Sequence, residues 1–102
     1  GAVTVGTINS TASNLKKNTA LSAFEFVMTD STTHALKTGV TVTATRSLDG
    51  AAFGACANSA TEVAFGVYTI DLAAADMNAN VVTLRFTGTA ADDTMITLVT
   101  QP

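Results

Sequence analysis

The chain has 102 residues, of which 47% are hydrophobic and 13% charged, and five basic against eight acidic side chains leave a net charge of −3. That length holds one domain with a single core, and the hydrophobic share excludes a disordered chain. Lys16-Lys17 is the one basic pair, too little for a nucleic-acid surface; no apolar run approaches the roughly 18 residues of a membrane span, and no segment reads as a signal peptide.

Residues 1–14 are expected to form an N-terminal arm or a first strand, with AVTVGTI (2–8) as the apolar part. Residues 15–102 form a single domain. The polar link NSTASNLKKNTA leads to LSAFEFVMT (21–29), which sets Phe24, Phe26 and Met28 on one face against Glu25, Val27 and Thr29. The polar connection TDSTTHALKTG follows. VTVTATR (40–46) then alternates strictly, Val40, Val42 and Ala44 opposing Thr41, Thr43 and Thr45. In the long connection SLDGAAFGACANSA (47–60), Asp49-Gly50 signals a turn and Phe53 interrupts a run of small residues. Phe53 either folds back over the end of the domain or anchors a neighbouring subunit.

A short strand is expected at 61–64. Tyr68, Ile70 and Leu72 then oppose Thr69 and Asp71, and Val82, Leu84 and Phe86 oppose Thr83, Arg85 and Thr87. Between them LAAADMNA (72–79) is too short for an independent helix, which needs about 12–15 residues, and fits one helical turn crossing between two sheets. Leu72 and Met77 should plug the core while Asp76 and Asn78 face solvent. The last alternating segment, TMITLVT (94–100), is apolar on both faces, so its outer side should be covered by another chain or by the N-terminal strand. About seven short strands, most with one apolar and one polar face, predict an all-β antiparallel Greek-key sandwich with a short helical turn near 73–79.

No constellation of catalytic residues stands out. His34 and Cys56 lie in separate loops with no motif joining them, and the lone cysteine forms no intrachain disulfide. Zinc needs about four N or S ligands, and two candidates are present. Asp76-Met77-Asn78-Ala79-Asn80 begins like a calcium loop, but Val81 stands at the required Gly position and Thr87 at that of the bidentate Glu. Asp92-Asp93 reads as an exposed hairpin and Asn9-Ser10-Thr11 as a chance sequon. With no Trp and one Tyr, stacking platforms for sugars are lacking. Neither a catalytic residue, a cofactor nor a metal is therefore expected.

The runs LKKNTALSAFEFVMTD, GVTVTATRSLDGAAF and EVAFGVYTIDLAAADMNANVVTLRFT resemble a small immunoglobulin-like β-sandwich domain of tailed-bacteriophage virion structural proteins. The likeness spans residues 15–100. The crossover with Leu72 and, four residues on, Asp76 is similar to that between the fifth and sixth strands of immunoglobulin-like domains, although Asn80 replaces the corner tyrosine and the paired cysteines are missing. The resemblance implies a virion location and a structural role: capsid decoration or cement, head fibre, or tail, neck or baseplate. It implies other virion proteins, the major capsid protein foremost, and copies of the chain itself as partners. An immunoglobulin-like adhesin that contacts a host surface is the alternative. Scarce charge fits a surface buried against other subunits, whose cores are depleted of Lys, Glu and Asp. The interface candidates are Val3, Val5 and Ile8 in the arm, Phe53, and Met95 and Val99 on the outer face of the last strand.

Overall fold

A computed structural model describes residues 7–9 and 15–101. Within them lie β1 (Thr7–Asn9), β2 (Leu21–Val27), β3 (Thr43–Leu48), β4 (Gly54–Ala55), β5 (Thr61–Ala64), β6 (Val67–Leu72), a 3-10 turn (Ala74–Met77), β7 (Val81–Thr87) and β8 (Thr94–Val99). One sheet has the order β2-β6-β5 and the other β1-β8-β7-β3-β4. Three hairpins, β3-β4, β5-β6 and β7-β8, alternate with crossings between the sheets, which is the strand arrangement of an immunoglobulin-like sandwich. The predicted fold class is therefore what forms.

The expectation of antiparallel pairing needs one correction. β1 runs parallel to β8, in register Thr7–Thr97, Ile8–Leu98 and Asn9–Val99. Just beyond, Lys17 N–H donates to the Gln101 carbonyl (2.7 Å) and Gln101 N–H to that of Leu15 (2.9 Å), so the entry to the domain clasps its exit. β1 joins β8 edge-on, in the plane of the sheet, rather than lying over the outer face of 94–100.

The core lies where the alternating patterns converge. Phe26, Met28, Tyr68, Ile70 and Leu72 from the smaller sheet meet Val82, Leu84, Phe86 and Leu98 from the larger, with Met77 closing one end. The Phe26 ring stacks on Phe86 (3.6 Å between centroids) and on Tyr68 (5.9 Å). In β2 the alternation is broken by a bulge between Leu21 and Phe24, where Ala23 takes a positive φ. The freed Ala23 amide donates to the Asp71 carboxylate across the sheet (2.8 Å), which satisfies the group the bulge takes out of the ladder.

Asp49-Gly50 forms the expected turn. Both residues have positive φ (51° and 80°) and Ala51 N–H reaches the Leu48 carbonyl (3.0 Å), the geometry whose twist matches that of the flanking strands. The Asp49 carboxylate also accepts from the amides of Asn80 (3.0 Å) and Val81 (2.9 Å), tying the hairpin to the start of β7.

Three expectations differ from the structure. The strand expected at 40–46 forms instead at 43–48. Val40 and Val42 still pack against the core, but the amides of Gly39 and Val40 go to the Glu62 carboxylate (2.8 Å) and the Tyr68 hydroxyl (3.0 Å) rather than to a ladder. β4 was not expected at all. A side chain at Gly54 would meet the end of the Arg46 guanidinium, so glycine there leaves Arg46 its room. Asp76 is buried, only 1% exposed, whereas Asn78 is exposed as expected. Arg46 shares the inward register of β3 with Ala44 and Leu48, opposite Leu84, and its Nε donates to Asp76 Oδ1 (2.9 Å). The amides of Ala57 (3.1 Å) and Ala73 (3.3 Å) hold the other carboxylate oxygen. A buried carboxylate with these partners is a clamp between β3, the loop after β4 and the 3-10 turn.

Candidate functional site

At the end of the sandwich opposite the 3-10 turn, three connections meet: residues 28–42, the turn at 64–67 and residues 88–93. They are zipped by backbone pairing. Thr29 bridges Leu36, Asp30 bridges Ala91, Ser31 N–H donates to the Ala90 carbonyl (3.0 Å) and Met28 N–H to that of Gly66 (3.1 Å). Asp30 is the hub of the first loop. One carboxylate oxygen accepts from the amides of Thr32 (2.8 Å) and Thr33 (3.0 Å), and the other pairs with Lys37 Nζ (3.0 Å). His34, at φ 62°, places Nδ1 2.9 Å from Asp92 Oδ2, which also accepts from the Thr29 hydroxyl (2.9 Å). The Tyr68 hydroxyl reaches out of the core to accept from Val40 N–H and donate to the Lys37 carbonyl (2.9 Å). This end is thus a preorganised surface.

The Thr33 and Thr32 amides, and then Lys37, lower the Asp30 pKa from 3.8 to about 2. Because the folded value lies below the unfolded one, Asp30 favours folding above about pH 4, and that contribution is lost as the pH falls toward 2. Urea unfolding of the wild type should therefore show stability dropping through this window, with the drop reduced in Asp30→Asn. Equal slopes in the two proteins would remove Asp30 from this role.

The five-stranded sheet presents a second, flatter surface. By register its outer face carries Ser47, Thr83 and Thr97 in one row and Thr45, Arg85 and Met95 in the next. The hydroxyls of Thr83 and Thr97 are 3.2 Å apart, and Arg85 pairs with Asp93 (2.7 Å). Val81 and Val99 face each other at the far end of the same sheet.

The interface candidates scatter over this frame. Met95 and Val99 are half-buried on the outer face of β8, and Phe53 is exposed in the β3–β4 connection, at the end opposite the loop cluster. Ile8 lies within β1, in register with Leu98; Val3 and Val5 lie outside the described residues. His34 and Cys56 are not brought together. Cys56 sits with Asp76 and Arg46 in the other half of the sandwich, where burial first, and then the Asp76 charge, push its thiol up to about 11. Both oxygens of Asp76, the first residue of the calcium-like stretch, are taken by protein donors. Among the described residues no group of three or more His, Cys, Asp or Glu could hold a metal ion.

Among the described residues the most exposed large apolar side chains lie at the loop end, at positions that no alternation or motif marks in the sequence: Phe65 (81%), Val63 (57%) and Leu36 (56%). Ala64 pairs with Val67, so Phe65 and Gly66 alone make the hairpin turn, both at positive φ (56° and 86°). Asn-Gly or Asp-Gly is the usual filling of such a turn, and a bulky residue in the left-handed region costs roughly 1–2 kcal/mol. An aromatic residue directly before glycine at a two-residue turn was the available signal. No protein family, curated protein or solved structure matches the chain. What the strand order defines is the class, an immunoglobulin-like β-sandwich.

Proposed function

We propose that this protein is a non-enzymatic structural subunit of a virion, a capsid decoration or cement protein that stabilises the particle through contacts with the major capsid protein and with copies of itself. One observation carries the reading. The ionisable groups of the loop cluster are engaged with one another or with backbone amides, and the broad sheet face beside them is mostly hydroxyl-bearing and apolar. Such a surface suits extended contact with neighbours rather than chemistry on a small molecule. Threonine faces lose little side-chain entropy on docking, and small apolar patches repeated over a shell, at roughly 25 cal/mol per Å² before ordering costs, sum to substantial stabilisation.

The test is made on particles. The protein should co-purify with them at a symmetric stoichiometry, and particles lacking it should burst at lower temperature or under milder osmotic shock. Deleting residues 1–14, and edge strand β1 with them, is expected to leave the rest of the sandwich folded while weakening particle association; unfolding of the truncated protein would make the segment part of the core and end its role as an arm. Absence from purified particles would end the proposal, and a density map of the assembly would separate a capsid position from a tail, neck, baseplate or fibre one.

A second reading, an immunoglobulin-like adhesin or receptor-recognition module, draws support from the exposed Phe65 and Leu36 at the end where variable domains carry their binding loops. It requires that the free protein bind host cells.

A further inference from the structure

We propose that the turn Ala64–Val67 is a docking knob, with Phe65 the anchor that enters an apolar socket with a basic rim on a different protein. The ring is 81% exposed on a backbone conformation that disfavours it, so the fold itself gains nothing from phenylalanine here. The turn is nevertheless held rigidly. The Glu62 carboxylate accepts from the Gly66 amide (3.3 Å) while the Gly66 carbonyl accepts from Met28 N–H (3.1 Å). Leu36 packs over Gly66, where an added side chain would come within 2.9 Å of the Leu36 Cβ. Val63, on the strand feeding the turn, and Leu36, against Gly66, are the other strongly exposed apolar residues described at this end. An aromatic side chain presented without freedom of the backbone is the usual form of a binding anchor, because little order remains to be gained on docking.

The surroundings select the partner. Glu62 stands at the turn itself, and across this end Asp30, Glu62, Asp92 and Asp93 are set against Lys37, Arg85 and the His34 that pairs with Asp92; with the imidazole counted neutral, two negative charges are in excess within a chain of net −3. Two copies meeting knob to knob would oppose these acidic rims. An anionic membrane surface would repel the same rim. A socket that wraps the ring and offers Lys or Arg around it meets both requirements.

The proposal is independent of which assembly the chain joins, and two measurements decide it. Phe65→Asn substitutes a residue that tolerates the left-handed conformation. Its melting temperature is expected to equal that of the wild type or exceed it by up to about 8 °C. A fall of more than about 5 °C would make Phe65 a packing residue and overturn the assignment. In the second, Phe65 is replaced by the photo-cross-linker p-benzoylphenylalanine and irradiated in the native assembly, with the same probe at Ala52, exposed at the other end, as control. The expected product is a cross-link to another protein, mapped to a segment bearing apolar and Lys or Arg residues. A cross-link to a second copy, to lipid, or none above the control would overturn it. A partner that is no particle component would keep this surface and remove the virion reading.

Discussion

Asp76→Ala is expected to lower folding stability by about 3–5 kcal/mol, which for a domain of this size lowers the melting temperature by more than about 12 °C. The reason lies in what the deletion leaves behind. Asp76 is almost wholly buried and Arg46, at 23%, only partly exposed, so alanine strands a guanidinium charge near the core together with two amide donors, those of Ala57 and Ala73. Removing one member of a buried pair costs far more than the pair contributes relative to an apolar replacement. Asp76→Asn retains acceptor capacity but loses the charge, and an intermediate loss is expected. Urea titration with an unchanged m-value would establish the effect as one on stability. A loss below about 1 kcal/mol for alanine would mean that Arg46 escapes to solvent and the clamp contributes little.

Phe86→Ala is expected to cost a similar amount, about 3–5 kcal/mol, by a different mechanism. Phe86 is fully buried on β7, its ring stacked on Phe26 and 6.4 Å from that of Phe24. It is where the two sheets touch through aromatic surface. Truncation removes the transfer energy of the ring and leaves a cavity that two flat neighbours cannot fill without leaving their rotamers. Against a total of about 5–15 kcal/mol, such a loss brings the domain close to unfolding at physiological temperature. Phe53→Ala is the matched control: Phe53 is exposed, and a change within about 0.5 kcal/mol is expected. Thermal melts of both variants check the contrast, which fails if the two lose stability equally.

Much of this architecture is legible along the chain because its causes are local. Tyr68-Ile70-Leu72 and Val82-Leu84-Phe86 point inward because side chains alternate on a strand, whatever lies opposite. Asp49-Gly50 turns because both residues accept positive φ, and 72–79 makes a single turn because it is too short to do more. Phe53 stays exposed, as a loop aromatic can. The candidate site was much less legible. Its exposed turn is formed by two residues whose surroundings come from a connection some 30 residues away, and no local pattern says that Leu36 will settle over Gly66.

The fate of Asp76 makes the division plain. The composition of 72–79 dictates a polar turn closed by Leu72 and Met77, and both are buried as that composition requires. Whether the carboxylate faces water depends on Arg46, 30 residues earlier, reaching inward past a glycine on β4. The same holds for the parallel seat of β1 beside β8 and for the Tyr68 hydroxyl that tethers the first loop. Alternation, turn chemistry and length are properties of neighbours in the chain, so they can be read from it. A buried charge, an edge pairing or an exposed ring is settled by which distant groups the closed sandwich brings within a few ångströms, and that exists only once the sheets have packed.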